Sequence, residues 1–295
     1  MRQLHALIPL LAALGAAPAA AQAPPPLVVD TLAPGLYRIA GPPDGSVLVW
    51  RAAEGPVVVD GLSPARAAAL DSLVRALAGG PPRVLVNTHY HEDHRGLNAR
   101  ANAAGARTLA HPRAIREMRR DTTITELDWR RTAAPAAALP REAVADSVVL
   151  GAGAERMVVF AVAPAHTGGD LMAWLPGPDV LHTGDVVEMG AFPFVDRWAG
   201  GGIDGLIAGV GMVLERAGPA TRIVPGHGPV VNRTRVRAYR DMLVMLRERV
   251  IRTMAGEDVD AVLADPRVAG LVPEWGSANQ LRYFVTALHA ELIRR

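Results

Sequence analysis

The stretch NTHYHEDHRG, Asn87 to Gly96, puts His89, His91, Asp93 and His94 into six consecutive positions. Imidazole and carboxylate groups are the nitrogen and oxygen ligands of divalent metals. On an extended backbone His89 and His91 project to the same side, where both rings can bind one ion, and Asp93 continues that parity. His94 is directed elsewhere as the chain turns, so it can meet a second ion beside the first. A solvated polar turn is the competing reading, and four such residues in so short a span weigh against it. Three later motifs add ligands in tight turns after apolar runs: PAHTGGD supplies His166, HTGD supplies Asp185 and PGHG supplies His227. Together they complete two metal sites with no sulfur ligand, a donor set that suits zinc and admits iron or manganese.

These side chains need elements to position them. LYRIAG, SVLVWR and GPVVVDGL, from Leu36 onward, read as an antiparallel meander separated by Gly and Pro clusters. Ser63 to Ala78 reads as a helix with Ser63 as N-cap, Pro64 at its first position and Gly79-Gly80 at its end. Arg83 to Asn87 is then a buried strand, and the histidine cluster begins where it ends. MVVFAV, LMAWL, DVLHTGD and TRIVPGHG are further strands. Helices are expected over Asp204 to Arg216, Thr234 to Met254 and Ser277 to Ile293. A meander followed by alternating strands and helices predicts an α/β protein with two sheets sandwiched between helices. Pro112 to Ala145 has weak periodicity and is expected to be a helix plus a lid over the site.

HYHEDH, AHTGGD, TGD and PGHG together resemble the metallo-β-lactamase superfamily of metal-dependent hydrolases, over about residues 30 to 245. The resemblance implies a four-layer αββα sandwich and two zinc ions. It assigns His89, His91 and His166 to one ion, Asp93, His94 and His227 to the other, and Asp185 as the bridge. Asp60, ending VVVD, takes the place of an aspartate that braces the ligand loop. The implied reaction is attack of a metal-bound hydroxide on an amide, ester or thioester carbonyl, with Asp93 orienting the nucleophile and relaying a proton. The stretch Ala165 to Leu175 resembles β-lactamases that use a cysteine ligand, which places β-lactams among the expected substrates. Asp185 stands at that cysteine's position, and His94 stands where that subclass has arginine. The ligand set therefore resembles glyoxalase-II-like thioesterases and lactonases instead. A mononuclear-iron persulfide dioxygenase is the alternative from another enzyme class. With no lysine in the chain, Arg197 in FPFVDRWAGG is the candidate anchor for a substrate carboxylate. Phe192, Phe194 and Trp198 either wall an apolar pocket or fill the core. His182 is either a neighbour of the ligands or an ordinary strand residue.

Composition bounds the partners. The 295 residues carry 31 basic and 29 acidic side chains, and no run of like charge suggests a nucleic-acid partner. A small-molecule substrate is expected. Residues 1–21 have the layout of a secretory signal peptide cleaved after Ala21, with an apolar stretch too short to span a bilayer. The mature chain is then one domain over 22–295 with a helical extension from about 256, periplasmic or secreted and without stable membrane insertion. Lacking cysteine, it can form no disulfide and must be stabilised by its core.

Overall fold

The computed structural model describes residues 25–153, 155–253 and 258–293. The expected signal peptide lies outside these residues. Strands β1 (Val28–Ala33), β2 (Leu36–Ala40), β3 (Ser46–Ala52) and β4 (Gly55–Val59) form the antiparallel meander. β5 (Val84–Val86) and β6 (Arg107–Ala110) extend it in parallel. After a separate hairpin of β7 (Thr122–Ile124) and β8 (Trp129–Arg131), β9 (Glu142–Ala143) closes the edge, giving seven strands. The second sheet holds β10 (Ser147–Ala152), β11 (Glu155–Ala161), β12 (Leu171–Leu175), β13 (Val180–His182) and β14 (Arg222–Val224). Its neighbours are antiparallel except β13 and β14, which run parallel. β10 is a strand that the sequence pattern did not single out.

Residue alternation builds the layers, because successive strand side chains face opposite sides of a sheet. In β3, Leu48 and Trp50 enter the core between the sheets, whereas Val47 and Val49 face outward. In β12, Leu171, Ala173 and Leu175 face that same central core and Met172 faces away. The outer face of the first sheet is covered by α1 (Ala67–Ala78) and, beyond the one-turn α2 (Glu92–Arg95), by α3 (Asn98–Ala103). Following the short α4 (Pro112–Met118), helices α5 (Ile203–Arg216) and α6 (Arg233–Thr253) cover the second sheet. Three short helices, α7 (Val259–Ala264), α8 (Pro266–Ala269) and α9 (Val272–Trp275), lead to α10 (Ala278–Ile293). Val262, Val268, Trp275 and Leu288 join this outer core, so the extension is packed onto the sandwich. The layers are therefore helix, sheet, sheet, helix, as predicted. Among the described residues no helix is long and apolar enough to cross a membrane.

One local expectation needs correction, and the segment expected as a helix plus a lid takes a definite form. Ser63 makes no capping hydrogen bond: Pro64–Arg66 form a single 3-10 turn and Arg66 takes the N-cap position of α1. The segment from Pro112 is α4, then the β7–β8 hairpin, then a return to the first sheet through β9. Its periodicity is weak because the hairpin strands pair only with each other, and each is three residues long.

Candidate metal centre

The expected ligands all lie at one edge of the sandwich, because the turns that carry them follow β5, β13 and β14 or precede β12, and Asp60 joins them from the end of β4. His89 follows β5, Asp185 follows β13 and His227 follows β14. The extended run ends at His91, where φ is −59° and ψ is 152°, and Glu92 begins α2. Asp93 therefore does not continue the parity of His89 and His91; the first turn of α2 carries it to the side of His94 and His227. Ligand atoms of His89, His91, His166 and Asp185 form one group, and those of Asp93, His94 and His227 form another.

In the first group the rings converge lone pair on lone pair. His91 Nε2 donates to Asp196 Oδ2 at 3.2 Å, and His166 Nδ1 donates to the Phe194 carbonyl at 2.7 Å. His89 Nδ1 lies 3.1 Å from Thr88 Oγ1, whose own proton goes to Asp60. The remaining nitrogens are His89 Nε2, His91 Nδ1 and His166 Nε2, and His91 Nδ1 stands 2.9 Å and 3.0 Å from the other two. With the outer nitrogens protonated, these inner ones face each other as acceptors, which is repulsive unless a cation lies among them. Burial holds His89 well below the usual imidazole range and lowers His166 to about 4, so both rings are neutral and ready to ligate.

The second group combines imidazole with carboxylate. Asp93 Oδ2 is 3.2 Å from His227 Nε2 and 3.7 Å from His94 Nε2. Burial opposes the charged form of His227, but the Asp185 and Asp93 carboxylates outweigh it and raise this histidine to about 11. Burial is likewise overcome at His94, which Asp185, Asp60 and Asp93 raise well above its ordinary value. Asp185 stands between the groups: Oδ2 is 3.7 Å from His89 Nε2, 3.6 Å from His166 Nε2 and 3.5 Å from His227 Nε2, while Oδ1 is 3.3 Å from His94 Nε2. His94 Nε2 and Asp185 Oδ1 are both buried without a hydrogen-bond partner. Buried polar atoms are rarely left so, and an imidazole nitrogen aimed at an orphaned carboxylate oxygen fits divalent cations as the missing partners.

A buried scaffold fixes the ligand turns. Asp60 has a φ of 68° and accepts from Thr88 N at 2.8 Å, Thr88 Oγ1 at 2.9 Å and His94 Nδ1 at 2.9 Å. His182 Nε2 lies 3.7 Å from the same carboxylate, so His182 belongs to this cluster. Asn87 and Asn98 exchange side-chain hydrogen bonds at 3.0 and 2.8 Å, and Asn87 also donates to the His94 carbonyl. Gly226 is required because a Cβ there would come within 1.8 Å of Asp185 Oδ1. Gly184 has a φ of 51°, in the region that favours glycine, and packs on Thr88.

The sequence reading missed three groups. Asp196 accepts from His91, from Ala199 N at 3.0 Å and from the Tyr90 hydroxyl, which in turn accepts from Arg131. Although burial opposes ionisation, the bonds from His91 and Tyr90 hold Asp196 at about 2, so it stays a carboxylate. Arg131 continues to Glu117 at 2.8 Å, tying the hairpin to α4 and to the His91 loop. Glu188, with Asp185 and His227, forms a third ligand-capable group, and its Oε2 accepts from Phe194 N at 3.0 Å. Burial and the Asp185 charge push Glu188 up to about 8. Asp196 lies within the loop singled out for Arg197, but a DxxA turn in sequence signals only a local cap.

The three aromatics after Asp185 have different places. Phe192 is core, and Phe194 lines the open cleft beside the ligands together with His91, Glu92, Asp93, Leu127, Asp128 and Trp129. Trp198 lines a neighbouring cavity of about 520 Å³ with Arg197. Arg197 stacks 4.0 Å over the Trp198 ring, and its Nη2 is 3.6 Å from Glu126.

Residues 41–227 match the family model of the metallo-beta-lactamase superfamily. No curated protein matches the chain. Among solved structures, a metallo-beta-lactamase from Pontibacter korlensis is 16% identical with a TM-score of 0.59, covering 74% of this chain and 99% of its own. The mono-zinc form of the metallo-beta-lactamase FIM-1 from Pseudomonas aeruginosa is 16% identical with a TM-score of 0.60, covering 75% of this chain and 96% of its own. The DIM-1 metallo-beta-lactamase is 18% identical with a TM-score of 0.60, covering 75% and 99%. At such identities the likeness shows the fold, and the match over 41–227 shows the family: the chain belongs to the metallo-beta-lactamase superfamily, whose members are metal-dependent hydrolases.

Proposed function

We propose that this enzyme is an exported dinuclear-zinc hydrolase that cleaves an amide, ester or thioester carbonyl, with β-lactams, lactones and thioesters as the substrate classes to test. The observation that carries the reading is the position of Asp185, within 3.7 Å of ligand nitrogens in both groups. His89, His91 and His166 would hold one ion, Asp93, His94 and His227 the other, with Asp185 reaching both. Bound divalent metals supply Lewis acidity toward a carbonyl oxygen and make water a nucleophile at neutral pH.

The chain's own residues do the rest. Asp60 and Asp196 keep protons on the outer nitrogens of His94 and His91, leaving the inner nitrogens as donors of lone pairs. Asp93 has a side chain 34% exposed at the cleft, which places its carboxylate to take a proton from the reacting centre and pass it to solvent. Trp129 and Phe194 wall the cleft and limit water at its apolar side.

Metal-reconstituted protein, assayed against β-lactams, acyl-homoserine lactones and a glutathione thioester with bound metal measured in the same sample, tests the proposal. Hydrolysis of at least one class with about two zinc ions per chain is expected. One tightly bound iron with oxygen uptake on persulfide, and no hydrolysis, would overturn it.

A further inference from the structure

The cleft beside His91, a cavity of about 460 Å³, has two chemically distinct sides. Leu127, Trp129 and Phe194 make an apolar side, each half-buried, while Glu92, Asp93 and Asp128 make an acidic one. No arginine lines the cleft itself among the described residues; Arg95, Arg130 and Arg131 line the smaller cavity on the far side of His91, Glu92 and Trp129. The apolar side is held firmly. Phe194 is fixed through both backbone groups, its N–H donating to Glu188 and its carbonyl accepting from His166. Its ring stacks on Tyr283 of α10, with centroids 6.1 Å apart, and meets Trp129 edge-on at 6.1 Å. Trp129 also meets the His91 ring edge-on at 5.8 Å, and its strand β8 is tied down by Arg131, which donates to Tyr90 and Glu117. Such a surface receives an apolar group with little ordering cost. The expected cation is elsewhere, since Arg197 is held against Trp198 and Glu126 in the adjoining cavity.

We infer that the site selects uncharged substrates with an apolar acyl group, which Leu127, Trp129 and Phe194 receive, and that Glu92 and Asp128 turn away substrates whose acyl part carries a carboxylate. The inference rests on the hydrolase reading above. It follows from two general effects: burying each methylene of the acyl chain favours binding, and bringing a substrate carboxylate beside the Glu92 and Asp128 carboxylates disfavours it.

The test uses the metal-loaded full chain and thioesters of increasing acyl length, with one pair identical except for a distal carboxylate or its methyl ester. Expected are a rise of about tenfold or more in kcat/KM from acetyl to octanoyl, and a preference of about tenfold for the neutral member of the pair. Trp129→Ala should collapse the octanoyl-to-acetyl ratio mainly through KM. Asp128→Asn, an exposed change that the positive φ of 46° tolerates, should narrow the gap between the charged and neutral members without disturbing the fold. A separate readout is the fluorescence of Trp129, taken as the difference between parent and Trp129→Phe, on titration with octanamide; a saturable change is expected. Equal or better turnover of the carboxylate substrate, an unaltered chain-length ratio in Trp129→Ala, or no fluorescence response would overturn the inference. If no substrate in any class is hydrolysed while octanamide still binds, the hydrolase reading fails and the apolar wall stands.

Discussion

Replacing Asp60 by Asn separates its charge from its backbone role. The φ of 68° is tolerated by Asn as by Asp, so no strain is added. The carboxylate accepts from Thr88 N, Thr88 Oγ1 and His94 Nδ1, whereas an amide has one acceptor oxygen. If that oxygen keeps both Thr88 donors, the amide NH2 meets the Nδ1 proton of His94 head-on. His94 must then lose this bond or move its proton to Nε2, the atom aimed at Asp185 and Asp93. Leaving a buried donor unpaired costs about 1 to 3 kcal/mol, and for a domain of this size each kcal/mol shifts the melting midpoint by roughly 2 to 4 °C. Disturbing such a partner of a ligand lowers metal affinity by about 10- to 100-fold. The assay is competitive chelator titration of Asp60→Asn and parent, with thermal unfolding of the metal-stripped proteins alongside. The second ion should be lost first, with the first ion held nearly as in the parent. Affinities within twofold of the parent for both ions would refute the claim that Asp60 sets the His94 tautomer.

Other outcomes follow from the same geometry. Asp185→Asn should lower occupancy of both ions by elemental analysis, whereas His227→Ala should mainly empty the second; equal metal content in both variants and the parent would contradict the ligand assignment. Burial lifts Asp170 to about 7 despite the hydrogen bonds from Thr167, so the folded chain holds this proton more tightly than the unfolded chain does. Its contribution to stability is therefore present near pH 4 and lost as pH rises toward 7, by at most about 4 kcal/mol. Asp170→Asn should lack that slope when the metal-stripped proteins are melted across this range, and parallel pH profiles would contradict it. If the leader is a signal peptide, intact mass should place the mature amino terminus near Gln22 in exported protein, and a soluble cytoplasmic product retaining Met1 would count against export.

The ligands were legible in sequence because each rides on a local signal, an apolar strand followed by a histidine or aspartate in a glycine-bearing turn. The layers were legible for a similar reason, since alternation such as Val47, Leu48, Val49 and Trp50 assigns faces residue by residue. Asp196 was not, because it reaches His91 across 105 positions and its own turn looks like any local cap. Glu188 was hidden likewise among apolar neighbours in DVVEMG. The parity argument failed at Asp93 because an acidic pair, Glu92 and Asp93, opens the first turn of α2, where carboxylates favour the helix N-terminus. The β7–β8 hairpin escaped because it joins neither main sheet, although it carries the Trp129 side of the cleft.

The central claim is that two ions share Asp185. Anomalous diffraction at the zinc edge from crystals of the zinc-loaded protein tests it most directly. Two peaks are predicted, one among His89, His91 and His166 and one among Asp93, His94 and His227, with the Asp185 carboxylate touching both. A single peak, or a second peak out of reach of Asp185, would contradict the account.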